Sequence, residues 1–437
     1  MRENVGSRAV HLSARDHRTP TLLPASKLNS RHIFIAFWAA YLLSYLFRTI
    51  NAVISPELTR DLQLAPGALG LLTSIYFVAF AALQLPAGVL LDRYGPRRVE
   101  PVLLALGGTG ALLFALAEST PGLVVARALI GAGVAVCLMA PLKAIAAWVP
   151  RERQAAAAGW VMTGGSVGAL AAATPTEFAL RYMHWRTLFF GLALLTFAVA
   201  AWIWLRVPDT AKPVEKPGLG KQWAGVRKLF SHPRFWWIAP LAGCCTGSFF
   251  AVQGLWSVPW LTEVNGYDRD VAARHLFLMG TVMLAGYLAL GLFATRIARY
   301  GLYPRHLFGL GFALNVVAFA AIDGQLPGTY VWWALYGLGA ATNVLAFTVL
   351  NVGFASEFAG RANTALNLLM FGGGFITQWG IGLVVDAART GFGLDATGGL
   401  KFAFALVLAM NVLTYAWFAW GWRRHAPYAH ATLAAGT

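Results

Sequence analysis

The sequence predicts an all-α integral membrane protein of twelve transmembrane helices arranged as two six-helix bundles. Hydrophobic residues fill 58% of the 437 positions and charged residues only 12%, too few charges to cover the surface of a soluble domain. Stretches such as 101–117, 187–205 and 402–422 carry almost no ionisable group and match the roughly 20 residues that cross a hydrocarbon core. One long polar stretch, residues 207–234, is rich in Pro, Lys and Gly and divides the apolar runs into two equal sets.

Each element follows from local composition. Residues 1–31 are polar and basic, with Arg2, Arg8, Arg15, Arg18, Lys27 and Arg31 and no apolar run, so they are expected to form a cytoplasmic tail and not a cleaved leader. Six apolar runs at 32–53, 68–91, 99–118, 122–148, 154–176 and 186–206 make an N-terminal bundle over 32–206. After the cytoplasmic linker 207–234, runs at 235–262, 272–294, 304–322, 329–351, 362–386 and 399–422 make a C-terminal bundle over 235–422. Residues 423–437 form a second cytoplasmic tail. Pro233, Pro240 and Pro259 bracket or interrupt the seventh run, Pro175 ends the fifth, and glycines recur through the fourth, fifth and eleventh. Such residues allow bending and close helix contact in a bilayer.

An even number of spans puts both termini on one side of the membrane. Assigning the tails and even-numbered loops to the cytoplasm places about 24 of the 34 Lys and Arg there, about 7 outside and 3 within spans, as the positive-inside bias requires. The formal charge of +16 therefore reports membrane orientation and not nucleic-acid binding, for which no basic domain is present. Cys137, Cys244 and Cys245 fall inside apolar runs without ligand spacing, so neither a disulfide framework nor a metal site is indicated. The glycines around 107–110 and 337–339 lack a following Lys-Ser or Lys-Thr pair; they are packing residues, and no nucleotide or other cofactor is expected. High Ala and Gly content without a targeting peptide points to a bacterial inner membrane.

The loop after the second span reads GVLLDRYGPRR, from Gly88 to Arg98. Gly88 allows two helices to approach, Asp92 can accept hydrogen bonds from a neighbouring helix N-terminus, Arg93 and Arg97 can pair with acids or lipid phosphates, and Gly95 permits a tight turn. Together they suit a two-state latch. Here the chain resembles the major facilitator superfamily, whose loop between helices two and three carries Gly, Asp, Arg, Gly and Arg in this order. Order, spacing, loop position and the six-plus-six plan agree over nearly the whole chain. The resemblance implies a monomeric secondary transporter that rocks two bundles about a central site. The equivalent loop after span eight, GLFATRIARYG, keeps Gly291, Arg296, Arg299 and Gly301 but has Thr295 near the acidic position, so only the first half retains the full pattern. Span four contains LVVARALIGAG, with Arg127, Gly131 and Gly133, which resembles the Arg-and-glycine pattern of many members. Span five has Gly159, Gly164, Gly165 and Gly168 but not the Gly-Pro pair that marks the drug:proton antiporters.

An ionisable group deep in a span is costly unless it faces a cavity or a partner, which makes such groups functional candidates. Arg48, Arg127 and Lys143 fit, and all are basic. Arg48 lies about 22 Å into span one from the cytoplasmic end, and Arg127 about six residues into span four from the outside; at similar depth, they can share one anion. Arg48 continues a helical face with Trp38, Tyr41 and Tyr45. That face is either a binding wall for an organic anion or an interfacial stripe with Arg48 snorkelling outward. SYLFRTINAVISPEL is similar to the first helix of the organophosphate:phosphate antiporters and related organic-anion symporters, where a basic residue binds the anionic group.

The second half offers no matching buried charge, a departure from the phosphate antiporters that favours a carboxylate over a phosphorylated substrate. It supplies Gln253 and Trp256 in span seven, Asn343 and Asn351 in span ten, and Asn363, Asn367 and Gln378 in span eleven. These either bind substrate or bond helix to helix. Asn51, with Tyr76 and Gln84 on a face of span two shared by Thr73 and Phe80, completes the predicted lining. Lys143, about 24 Å along the helix from Arg127, either pairs with an acid as a gate or snorkels to the cytoplasm. No Asp or Glu is placed near the middle of a span; Glu57, Glu177, Asp323, Glu357 and Asp386 fall at ends.

These features and the resemblance imply a secondary transporter, not an enzyme, that moves a small organic anion by exchange or with a coupling ion such as a proton. Proton-coupled efflux of drugs or metabolites is the alternative, and the missing buried acid argues against it. A receptor that kept the fold without flux is a third reading.

Overall fold

A computed structural model describes residues 30–208, 230–352 and 356–425. The predicted tails, apart from residues 30–31 and 423–425, and most of the linker lie outside those residues, as do the side chains of Thr295, Arg296, Arg299 and Glu357. Helix α1 runs Ser30–Thr49 and continues as Asn51–Leu62 after a bend of 47°. It is followed by α2 (Pro66–Tyr94) and α3 (Pro96–Leu116), joined at Gly95, whose φ of 78° lies where a side chain is disfavoured. Helix α4 is broken into Thr120–Gly133 and Met139–Trp148. Helix α5 is bent by 42° between Arg151–Ala171 and Thr174–Leu180, and α6 spans Trp185–Arg206. The second bundle comprises α7 (Pro233–Val264), α8 (Arg269–Arg299), α9 (Pro304–Asp323), α10 (Thr329–Asn351), α11 (Ser356–Phe392) and α12 (Ala396–His425). The twelve predicted spans are thus present, three of them bent or broken.

The break in α4, which the apolar run did not reveal, has a local chemical basis. At Val134–Leu138 the α ladder gives way to turns, in which the Cys137 N–H bonds the Val134 carbonyl at 3.2 Å, and side chains from other helices reach the same stretch. Ser44 Oγ donates to the Val134 carbonyl at 3.5 Å and Gln84 Nε2 to the Ala135 carbonyl at 3.4 Å, which lets a helix unwind inside a membrane. Helix α7 is underwound into wide π turns at Val252–Trp256 and Trp260–Val264, on either side of Pro259, which has no N–H to give the ladder. Within the first bundle, glycines set the helix spacing. A side chain at Gly164 would start 2.7 Å from the Trp38 carbonyl, and one at Gly110 would start 2.7 Å from the Ile130 nitrogen.

We call proximal the face where α1 begins and α12 ends, and distal the opposite face. The distal ends of the two bundles are tied together. Arg269 of α8 binds Glu57 at 3.0 Å and Glu177 at 3.4 Å, and Arg181 binds Asp270 at 2.8 Å. The Gly67 N–H donates to Asp386 at 2.8 Å. Deeper in, Asn367 Nδ2 donates to Gln84 Oε1 at 3.4 Å. Among the described residues, polar links between the bundles lie at or distal to that level, so the distal mouth is shut. Among the described residues, Gly88 does not bring two helices together as its sequence context suggests, because none comes within 4 Å of its missing side chain. The close approach of α2 to α11 occurs instead at Gly70, where a side chain would start 2.9 Å from the Gln378 carbonyl.

Candidate functional site

Arg48 occupies the last turn of α1 before its bend, on the seam between the bundles. Its guanidinium carbon lies 4.4 Å from the Tyr45 ring centre, 5.3 Å from Phe80, 5.5 Å from Phe250 and 5.2 Å from Phe371. Tyr45 and Phe80 belong to the first bundle, Phe250 and Phe371 to the second. Four aromatic faces therefore hold one cation from both sides, and Arg48 is only 6% exposed. Snorkelling is excluded. Tyr76 places its hydroxyl beside the guanidinium and donates to the Ser44 carbonyl at 3.2 Å. Tyr41 packs edge-on against Tyr45 at 5.2 Å, and both rest on Gly165 of α5.

Arg127 is buried completely. Its Nη1 donates to the Phe47 carbonyl at 2.9 Å, and its guanidinium carbon lies 5.2 Å from the Tyr76 ring centre. Nε and Nη2 of Arg127, and Nε of Arg48, have no hydrogen-bond partner. Neither arginine pairs with a carboxylate among the described residues. The two predicted cations thus converge on Tyr76, but Arg127 is committed in part to the backbone of α1.

The amides divide into two groups. Asn51 and Gln378 are fully buried with both amide atoms unpartnered. A side chain at Gly254 would start 3.4 Å from the Arg48 carbonyl and 3.5 Å from Gln378 Oε1, which puts Gln378 at the level of Arg48. Gln253 is buried on the first π-wound turn. Trp256, predicted to line the site, spends its indole N–H on the Gln378 carbonyl at 2.9 Å and joins α7 to α11. Asn351 donates to Asn363 at 2.9 Å, a helix-to-helix role. Asn343 lies on a short 3-10 turn with its Oδ1 unpartnered, and no contact ties it to the arginines. Asn367 bonds Gln84, which bonds the α4 break, so this line of amides couples the second bundle to the unwound turn of the first.

At the proximal end, Lys143 Nζ donates to Asp92 Oδ1 at 2.7 Å and to the Leu91 carbonyl. The lysine pairs with Asp92 and does not snorkel. Arg97 donates to the Trp204 carbonyl at 3.3 Å and Arg93 lies 5.2 Å from the Tyr94 ring centre, so both are held by their own bundle.

Sequence reasoning missed Phe250 and Phe371 as walls of the site. Helical spacing carried the signal, since Phe250 precedes Gln253 by three positions and Phe371 follows Asn367 by four. It also passed over Glu100, on the first turns of α3. The structure corrects this: Glu100 is fully buried, with neither carboxyl oxygen hydrogen-bonded.

Comparison with known proteins agrees with this architecture. The probable sulfoacetate transporter SauU of Cupriavidus necator is 23% identical over 409 residues, covering 87% of this chain and 91% of its own length. The hexuronate transporter of Escherichia coli K12 is 31% identical over 162 residues, 37% of this chain and 38% of its own. Among solved structures, a bacterial homologue of the human lysosomal transporter Spinster, inward-facing and unoccupied, superposes with a TM-score of 0.73 at 18% identity, over 91% of this chain and 98% of that one. The D-xylose–proton symporter superposes with a TM-score of 0.71 at 14% identity, over 89% and 97%. These likenesses show the fold. The profile of the Major Facilitator Superfamily matches residues 37–378, and the chain belongs to that superfamily of membrane transporters.

Proposed function

We propose that this transporter carries a small organic anion of the carboxylate type, by alternating access driven by exchange or by an ion gradient. One observation carries the reading: two buried guanidiniums, Arg48 and Arg127, flank Tyr76 at the bundle seam without a carboxylate to neutralise them. Unneutralised charge in a membrane is costly, and a diffusible anion is the counter-charge that function requires. The relatives named for sulfoacetate and hexuronate support this, because those solutes share a carboxylate on a short polar skeleton. The free amides of Asn51 and Gln378 suit the remainder of such a solute.

Each aromatic face contributes about 0.5–2 kcal/mol to holding Arg48. A carboxylate offers charge-assisted hydrogen bonds of about 1.5–3 kcal/mol each and competes with the rings. Rocking of the bundles parts Phe250 and Phe371 from Tyr45 and Phe80 and uncovers the guanidinium. The proximal face is the cytoplasmic one in this reading, the membrane is a bacterial inner membrane, and the Lys143–Asp92 pair works as the latch.

A thermal-stability screen of the purified protein tests the substrate class. Ligand at 100 times its Kd stabilises by about 2.7 kcal/mol, so short hydroxy- and sulfo-carboxylates are expected to raise Tm while their amides do not. Stabilisation by cationic or neutral drug-like compounds alone would replace this reading with the efflux one.

A further inference from the structure

Glu100 stands apart from every interaction described so far. It is fully buried on α3, and both carboxyl oxygens lack a hydrogen-bond partner. Leu103, one turn further on, puts its carbonyl 2.6 Å from where a side chain at Gly133 would start. That contact sets this part of α3 against the turn at which α4 breaks. Cys137, inside the break, is buried and within electrostatic reach of Glu100.

Among the described residues, the charged groups on the helices beside it are engaged or turned outward. On the inner piece of α4 the one charged residue is Lys143, held by Asp92 of α2. Arg93 of α2, Arg98 of α3 and Arg206 of α6 are exposed. Arg97 is bonded to the Trp204 carbonyl. A carboxylate cannot be kept ionised in such surroundings without a partner, so the side chain carries its proton in this conformation.

We propose that Glu100 is a proton-carrying site of this transporter, and that the break in α4 links its protonation to the latch at Lys143 and Asp92. Release converts the acid to a carboxylate and delivers the proton to water on the proximal side. The new negative charge then needs a cation. Lys143 lies six residues beyond Cys137, about 9 Å along α4, and is the cation on the piece of α4 that follows the break. Its transfer from Asp92 to Glu100 frees α2 from α4, while reprotonation returns it. The amide line from Asn367 through Gln84 to Ala135 supplies the connection to the second bundle.

This proposal rests on the anion-transport reading, and the experiment separates the two. Wild-type protein and Glu100→Gln, which keeps the shape without the titration, are reconstituted in proteoliposomes with a short carboxylate. Accumulation under an imposed pH gradient is measured beside counterflow exchange at equal pH. The expected result is that Glu100→Gln loses at least tenfold of the gradient-driven accumulation and retains exchange. Equal accumulation by the two proteins would overturn the Glu100 assignment and leave the anion reading standing. Infrared spectroscopy of the same proteins reads the carboxyl independently of transport. A protonated-carboxyl band present in the wild type at neutral pH and lost in Glu100→Gln supports the assignment even if no carboxylate moves. Its absence from the wild type contradicts it. If Glu100→Gln does not fold, Glu100→Asp is expected to displace the band, and an unmoved band counts against Glu100.

Discussion

Arg48 and Arg127 look equivalent in the sequence, as lone cations deep in apolar runs, yet their surroundings set different roles. Arg48 meets ring faces and no backbone carbonyl, so its charge is available to a solute. Replacing it with Lys keeps the charge but loses the planar fork that pairs with a carboxylate. Arg48→Lys is therefore expected to weaken carboxylate binding about tenfold to a hundredfold, or roughly 1.4–2.8 kcal/mol, as measured by calorimetry on purified protein. Arg127 holds the Phe47 carbonyl near the bend of α1. Arg127→Ala is expected to remove about 1–3 kcal/mol of stability by leaving that acceptor unpaired, with a lower Tm in the absence of any ligand. The two cations were legible because charge is expensive in a bilayer. The aromatic cage was not, because the chain has 28 Phe and a ring that faces lipid reads the same as one that faces an arginine.

Helix boundaries were legible from composition, since solvation by lipid dictates which residues the spans can hold. The interruptions were less so. The break of α4 depends on donors from α1 and α2, Ser44 and Gln84, which are distant in sequence. Gln84→Ala removes one of these donors and also the acceptor of Asn367. It is expected to cost about 1–3 kcal/mol in stability and to slow exchange, whereas the same change at exposed Gln63 is expected to do neither. Helix spacing responds to volume in the same way. Gly164→Leu forces a side chain against the Trp38 carbonyl 2.7 Å away, and overpacking of about 1–3 kcal/mol is expected to lower Tm without altering substrate preference.

The whole molecule is two six-helix bundles, and the Pro-, Lys- and Gly-rich stretch 207–234 is where the sequence alone divides them. Which helices meet across the seam was not visible, because the pairing of α2 with α11 depends on small residues and single hydrogen bonds far apart in the chain. The distal closure gives a direct handle on it. A side chain at Gly67 would start 3.7 Å from Asp386 Cγ, so Gly67→Cys with Asp386→Cys is expected to form a disulfide under mild oxidation. Transport is expected to stop when it forms and to return on reduction; uninterrupted flux in the cross-linked protein would mean that the distal mouth need not open.

The central claim is that an anion crosses by way of Arg48. Uptake of a labelled short carboxylate into proteoliposomes, compared between wild type and Arg48→Ala at matched protein content, tests it most directly. Uptake is expected in the wild type and is expected to fall by at least about two orders of magnitude in Arg48→Ala, in line with the loss of two charge-assisted hydrogen bonds. Undiminished uptake by Arg48→Ala would contradict it, as would a wild type that moves cations and leaves every carboxylate behind.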